Sequence, residues 1–223
     1  MTIAVKDVAG VQRVRFGGPG ILKIIQSKHN TLTIHAPQYV MAQMVCQQQG
    51  NRLIIGLNHA PVAELRAYRE VVAYELRLSD LTALNLLGTG RAIIPDLDTD
   101  ELSLRMSGRG SIRVEHLTAD KLKVNLQGQG RVSVAGDVES QQLSLQGKGE
   151  YLATGLVSDF ADLVVEGEGS ANIAVSDYLS VRVSGKGSVS YDGFPEISKV
   201  ISGMGRLQRN RRQPRQSKQG NLL

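Results

Sequence analysis

The chain carries a Gly-x-Gly step that recurs seven times over its last two-thirds, at intervals of 18 to 20 residues. The steps begin at Gly88, Gly108, Gly128, Gly147, Gly167, Gly185 and Gly203. A fixed period of this length is typical of solenoids, in which each repeat forms one coil that stacks on its neighbours. Glycine is needed where a corner demands dihedrals closed to other residues and where stacked corners leave no room for side chains. The middle residue of the step varies freely, so we expect it to face solvent.

Apolar and polar residues alternate on both sides of each step, as in strands with one buried face. Examples before a step are Leu102-Leu104-Met106, Leu122-Val124-Leu126 and Leu179-Val181-Val183, and examples after a step are Ile112-Val114 and Val132-Val134. Aromatic residues are only 4% of the chain, so the core must consist of small branched side chains, which suit thin layers. The pattern predicts an all-β, single-domain parallel β-helix (β-solenoid), with coils of about 18–20 residues stacked about 4.8 Å apart.

The period is blurred before Gly88, although strand-like runs such as Val11 to Phe16 and Ile21 to Gln26 persist. We expect residues 1–87 to form irregular N-terminal coils whose first strands cap the open end, and residues 88–207 to form the regular repeats of the same domain. A separate N-terminal domain is the alternative. A helical turn is predicted at 63–70, and a basic disordered tail at 208–223. Arg206 to Leu223 holds six of the 26 basic residues and no acid, which leaves 20 basic against 21 acidic residues elsewhere.

These residues resemble the head GIN domain family of bacterial auto-transporter adhesins, a group without an established function. The resemblance rests on the Gly-x-Gly ladder, on Tyr191-Asp192-Gly193-Phe194-Pro195 followed by Gly203-Met204-Gly205, and on Val14 to Gly20 followed by Ile21 to Gln26. It covers residues 8 to 207. It implies a parallel β-helix and a periplasmic or cell-surface location, but no binding or catalytic residue. The chain begins without the apolar run of a signal peptide, which leaves its location open.

Sites for nucleotides, cofactors and metals are not predicted. A dinucleotide-binding loop needs a third glycine that is missing after every step. The acidic cluster Asp96, Asp98, Asp100 and Glu101 lacks the turn glycine of a calcium loop, so a solvated corner is expected. His29, His35, His59 and His116 lack metal-ligand spacing. Cys46 has no second cysteine to pair with, and we expect a buried, inert thiol.

Three glutamates raise the question of catalysis. Glu150, Glu166 and Glu168 fall on adjacent coils and could approach to about 5–10 Å, the separation used in glycoside hydrolysis. Lys148 and Lys186 beside them favour a mixed-charge surface ladder instead, so no catalytic residue is predicted. The basic tail has no aromatic residue to stack on bases, and specific nucleic-acid binding is not expected.

The leading hypothesis is a non-enzymatic binding or adhesion module that contacts a glycan or a surface protein, with binding residues that the sequence leaves unknown. An enzyme acting on polysaccharide is one alternative, because parallel β-helices also serve that chemistry. A structural scaffold whose faces pair into homo-oligomers is another. No run is long enough to span a membrane as a helix, and fold by itself does not decide among these functions.

Overall fold

The computed structural model describes residues 2–57 and 72–210 and confirms the β-solenoid, with about six turns. The described elements are β1 Thr2–Asp7, β2 Arg13–Phe16, β3 Ile21–Gln26, β4 Thr31–Ala36, α1 Gln38–Met41, β5 Met44–Gln49, β6 Arg52–Leu57, β7 Ala73–Leu78, β8 Ala83–Gly88, β9 Arg91–Ile94, β10 Leu97–Asp98, β11 Glu101–Gly108, β12 Ser111–Gly128, β13 Arg131–Gly147, β14 Glu150–Gly167, β15 Ser170–Ala174, β16 Tyr178–Gly185, β17 Ser188–Asp192, β18 Glu196–Gly203 and β19 Arg206–Arg209. The predicted helical turn at 63–70 lies outside the described residues, as does most of the predicted tail. The predicted boundaries after 87 and 207 stay predictions.

The first glycines of the seven steps lie directly above one another. Parallel pairing places Gly88 beside Gly108, and the same register continues through Gly128, Gly147, Gly167, Gly185 and Gly203. Each has a positive φ, between 81° and 122°. The middle residue of a step donates its backbone N–H to the glycine carbonyl one coil below, as Lys148 does to Gly128 at 2.8 Å. The corners are therefore a continuous column of hydrogen-bonded backbone.

The N-terminal strands stack in an order that differs from their order in the chain. Strand β2 lies between β6 and β8, and β3 lies between β7 and β9, all in parallel. The expectation that the first strands cap the solenoid is wrong for β2 and β3, which lie one coil inside its N-terminal end. Antiparallel strands form that end instead, because β4 pairs with β7 and with β1, and β5 pairs with β6.

One apolar column fills the interior, built mostly from Leu, Val and Ile that alternate along each strand. Two aromatic rings anchor its N-terminal part, where Phe16 meets Tyr74 edge-on with ring centroids 5.1 Å apart. Burial raises the pKa of the Tyr74 hydroxyl. Because the buried cluster extends from β2 to β17, the solenoid presents rigid outer faces on which side chains of successive coils lie in register.

Candidate functional site

A groove of about 1030 Å³ lies across the outer faces of β6, β2, β8 and β11. One row of outward positions runs Arg52, Arg13, Ala83, Ser103 and Lys123 across adjacent strands. Ala83 and Ser103 are short, and they stand between the long side chains of Arg13 and Lys123. The groove therefore arises where two small residues interrupt a row of long ones.

Four arginines give the groove its chemistry. Arg13 and Arg52 are register partners, and a second row places Arg15 beside Asn85, with Arg105 on the next strand. All four side chains line the groove and are exposed. None of them has an ion-pair or hydrogen-bond partner among the residues that the structure describes. We name this set, Arg13, Arg15, Arg52 and Arg105, the arginine groove.

Carboxylates lie along one rim of the groove, where the strands begin, and half of them are already engaged. Asp80 accepts hydrogen bonds from Gln12 Nε2 at 3.2 Å and from Thr99 Oγ1 at 2.9 Å. Glu101 accepts from Lys123 Nζ at 2.5 Å, and this bond lowers the pKa of the Glu101 carboxyl. Asp98 and Asp100 have no such side-chain partner among the described residues. Four guanidinium groups and two carboxylates of the groove therefore have no side-chain partner among the described residues.

The three glutamates singled out from the sequence form a mixed-charge ladder beside the glycine corners of β13 and β14. Arg131 Nε contacts Glu150 at 2.7 Å, and Lys148 Nζ contacts Glu168 at 2.9 Å. Gln146 Nε2 donates to Glu166 at 3.0 Å. Lys148 holds the pKa of the Glu168 carboxyl below its usual range, whereas a general acid needs a raised pKa. The absence of a catalytic residue stays a prediction, but these contacts give the glutamates a structural role.

A smaller groove of about 480 Å³ includes part of that ladder. Its charged side chains include Arg131, Lys148 and Glu150, which already take part in ion pairs within or beside the groove. The lining also includes Arg91 and Arg109, which are exposed and have no ion pair among the described residues. An anionic ligand would therefore meet two unpaired arginines here and four in the arginine groove.

The remaining residues considered from the sequence do not gather into a site. Within 2–57 and 72–210, no three His, Cys, Asp or Glu side chains are placed to hold a metal ion. His59 lies outside these ranges. Cys46 is half-buried on β5, and desolvation raises the pKa of its thiol. No helix in the described part of the chain is long and apolar enough to cross a membrane.

Two features were missed from the sequence. The arginine groove joins residues as far apart as Arg13 and Arg105, and the only sequence signal is that each occupies an outward position of an alternating strand. The second is a buried polar triad, Gln141, Tyr151 and Ser158. Tyr151 donates its hydroxyl to Gln141 Oε1 at 3.0 Å, and Gln141 Nε2 donates to Ser158 Oγ at 2.7 Å. All three side chains are almost fully buried.

Comparison with known proteins agrees with this architecture. The family model described as "Putative auto-transporter adhesin, head GIN domain" matches residues 12–195. The chain belongs to the head GIN domain family. This confirms the resemblance drawn from the glycine steps and the Tyr191 to Pro195 motif. The family is described by adhesion and not by catalysis, and its specific ligand is not established.

Solved structures share the fold of this head GIN domain protein. A "putative adhesin" from Bacteroides fragilis superposes with a TM-score of 0.87 at 23% identity, covering 94% of this chain and 96% of that one. A "putative lipid binding protein" from Parabacteroides distasonis gives a TM-score of 0.76 at 20% identity, and a "putative adhesin" from the same species gives 0.68 at 21%, with the same coverages. At these identities the likeness shows the fold alone. No curated protein matches the chain.

Proposed function

We propose that this head GIN domain is a non-enzymatic adhesion module that binds an acidic glycan along the arginine groove. The observation that carries the proposal is the set of four exposed guanidinium groups, two of them register partners, without an anionic partner among the described residues. Like charges placed directly opposite each other destabilise a sheet. The repulsion between neighbouring arginines would be relieved by a bound anionic ligand.

The chemistry of the groove favours a sugar carboxylate. A guanidinium group presents its N–H donors in a planar fork that matches a carboxylate, and the fork makes two parallel hydrogen bonds. Asn51, Asn85, Thr82 and Ser103 also line the groove and can exchange hydrogen bonds with sugar hydroxyls. A linear polyuronate presents both groups along one chain. Because successive strands lie about 4.8 Å apart, the two arginine rows can contact several sugar units at once.

The adhesion role fits the family description, and the rigid fold supports it. Outer positions of the coils are held by the continuous backbone ladder, so the groove needs little reorganisation before it binds. Several weak contacts on one polymer also combine into a tighter attachment than any single contact gives. Adhesion through many sites of modest affinity is therefore the use that this surface supports best.

Calorimetry with polygalacturonate tests the proposal, with the same polymer in its methyl-esterified form as a matched neutral ligand. We expect the purified chain to bind the acidic polymer and not the ester, with an affinity that falls as salt rises. The double variant Arg13→Ser with Arg105→Ser should weaken binding at least about tenfold, because charge-assisted hydrogen bonds contribute about 1.5–3 kcal/mol each. The matched control is Arg113→Ser, an exposed arginine on β12 outside the groove.

Other results would contradict the proposal in distinct ways. Equal binding of acidic and esterified polymer would show that the guanidinium groups do not recognise the carboxylate. Equal losses in Arg113→Ser and in the groove variant would indicate general charge attraction without a site. Release of shortened sugar chains during incubation would replace adhesion by the enzyme alternative. No binding to any acidic polysaccharide in a panel would remove the glycan from the proposal.

A further inference from the structure

The last described coil of the solenoid exposes several large apolar side chains. We name residues 194–210, which include β18 and β19, the C-terminal face. Register places Ile197 and Ile201 over the core residues Leu179 and Val183, so they are exposed because no coil within the described residues lies above them. That explanation does not cover the most exposed apolar side chains of this face. They are Phe194 at 79%, Met204 at 66% and Val200 at 58% exposed.

These three residues occupy outward or corner positions. The corner residue that corresponds to Met204 is Thr89, Arg109, Gln129, Lys148, Glu168 or Lys186 in the earlier steps. The position of Val200 is Arg182 on the preceding coil and Val164 on the coil before that, so the contrast with earlier coils is clear at Met204 and not at Val200. Earlier coils also expose apolar side chains, such as Val157 at 55% and Phe160 at 46%, but the three most exposed ones within residues 72–210 belong to the C-terminal face. Exposed apolar side chains that cluster at one end of a protein and are flanked by charged residues mark a surface that contacts another phase or partner.

A second copy of the chain does not fit this face. Stacking another coil would bury the inward row of β18 and β19, and that row contains two cations. Lys199 is the register partner of the core residue Val181, and Arg209 is the partner of Tyr191. Inward-pointing charges at a sheet end oppose edge-to-edge association, because stacking would bury them without a counter-ion. The guanidinium group of Arg209 instead covers the Phe194 ring, 3.4 Å from its centroid.

The net charge of residues 194–223 indicates the chemistry of the partner. Residues 194–223 contain seven basic side chains, at Lys199, Arg206, Arg209, Arg211, Arg212, Arg215 and Lys218, and one acid, Glu196, a formal charge of +6. The rest of the chain is therefore close to neutral, at −1. Apolar side chains beside a basic segment match the interface of a bilayer with anionic headgroups, where the apolar groups enter the acyl boundary and the cations meet phosphate.

We propose that the C-terminal face docks on an anionic phospholipid surface. The arginine groove lies on β6, β2, β8 and β11, and five further strand-to-strand steps separate β11 from β18. At about 4.8 Å a step, roughly 24 Å separates the groove from the docked face. Docking thus leaves the groove open on the side away from the membrane. The inference does not depend on what the groove binds.

Vesicle flotation of the full chain tests the docking. The expected result is co-flotation with phosphatidylcholine vesicles that contain phosphatidylglycerol, and none with phosphatidylcholine alone. The double variant Phe194→Ser with Met204→Ser should weaken binding about tenfold, since two apolar side chains no longer enter the interface. Val157→Ser is the matched control, because Val157 is 55% exposed on an earlier coil, and it should bind as the parent chain does. Circular dichroism confirms that all variants remain β-structured.

Four other outcomes would overturn the inference. Equal flotation with neutral and anionic vesicles would exclude headgroup recognition, and equal losses in both variants would exclude this face. If a chain ending at Asn210 binds anionic vesicles more tightly, the tail itself covers the face. A concentration-dependent dimer that the Phe194 and Met204 variant abolishes would make a second copy the occupant. Flotation that persists when glycan binding is lost in the Arg13 and Arg105 variant separates this inference from the proposed function.

Discussion

Replacing Gly147 with alanine is expected to lower the free energy of unfolding by about 2–5 kcal/mol. Gly147 has φ of 107°, and a Cβ built on it would lie 2.8 Å from the carbonyl oxygen of Gly128 on the coil below. The left-handed conformation costs an L-residue about 1–2 kcal/mol. Crowding against neighbouring atoms adds about 1–3 kcal/mol. The neighbour is backbone held in the corner column, so it cannot move aside as a flexible side chain would.

Two other glycines separate the strain of the backbone from the crowding. Gly50 has φ of 59° with no atom within 4 Å of a built Cβ, whereas Gly56 has equal space and no positive φ. Urea unfolding should rank the alanine variants with Gly147 lowest in stability, then Gly50, and Gly56 close to the parent chain. If Gly147→Ala costs no more than Gly50→Ala, close packing of the corners does not contribute and the column tolerates a methyl group.

Much of the fold could be predicted because the repeat encodes it locally. Each coil carries its own glycine step and its own alternating strands. The register between coils therefore follows from aligning the glycine steps and the apolar positions of successive repeats. The N-terminal part lacks this advantage. Its strands have the same apolar alternation as the others, and nothing in that local pattern decides which strand is neighbour to which. Gly18-Pro19-Gly20 forms a further corner, since Arg91 donates to the Gly20 carbonyl at 3.0 Å, yet it lies about 70 residues from Gly88 in the chain.

The candidate site was harder to predict than the fold for the same reason. Arg13 and Arg15 form a site only together with Arg52 and Arg105. The insertion of β2 between β6 and β8 brings these four residues together. The glutamates were adjacent in the regular repeats, so their proximity could be expected. Their ion pairs with Arg131 and Lys148 depend on side-chain reach, which spacing alone does not give.

The buried polar triad supplies the second large effect, through Gln141. Register aligns Gln141 with Leu122 and Ala161, so it occupies a core position that is apolar on both neighbouring coils. Gln141→Leu is expected to lower the free energy of unfolding by about 1–3 kcal/mol, even though leucine suits the position. The Tyr151 hydroxyl would lose its acceptor while it remains buried, and an unsatisfied buried polar group costs about that much.

A double-mutant cycle distinguishes this cause from a change in packing. Tyr151→Phe should destabilise the chain by leaving Gln141 Oε1 without its donor, and the double variant should cost less than the two single changes together. We expect a coupling of about 0.5–3 kcal/mol, measured by urea unfolding. Ser158 stays satisfied in the double variant, because its hydroxyl also donates to the Ala174 carbonyl at 3.0 Å. Tyr191→Phe, a half-buried tyrosine outside the triad, is the control and should be nearly neutral.

Additive costs would mean that the two side chains act only by filling space, and the triad would then have no energetic role. A measurable coupling between Gln141 and Tyr151 would mean that hydrogen bonds stabilise this coil of the core, whereas apolar contacts stabilise the neighbouring coils. Gln141, Ser158 and Ala174 lie on three successive coils. The hydrogen bonds of Gln141 form only when these coils stack in one register, so every shifted register would leave a buried polar group without a partner. Leu or Val in that position would pack in several registers at similar free energy.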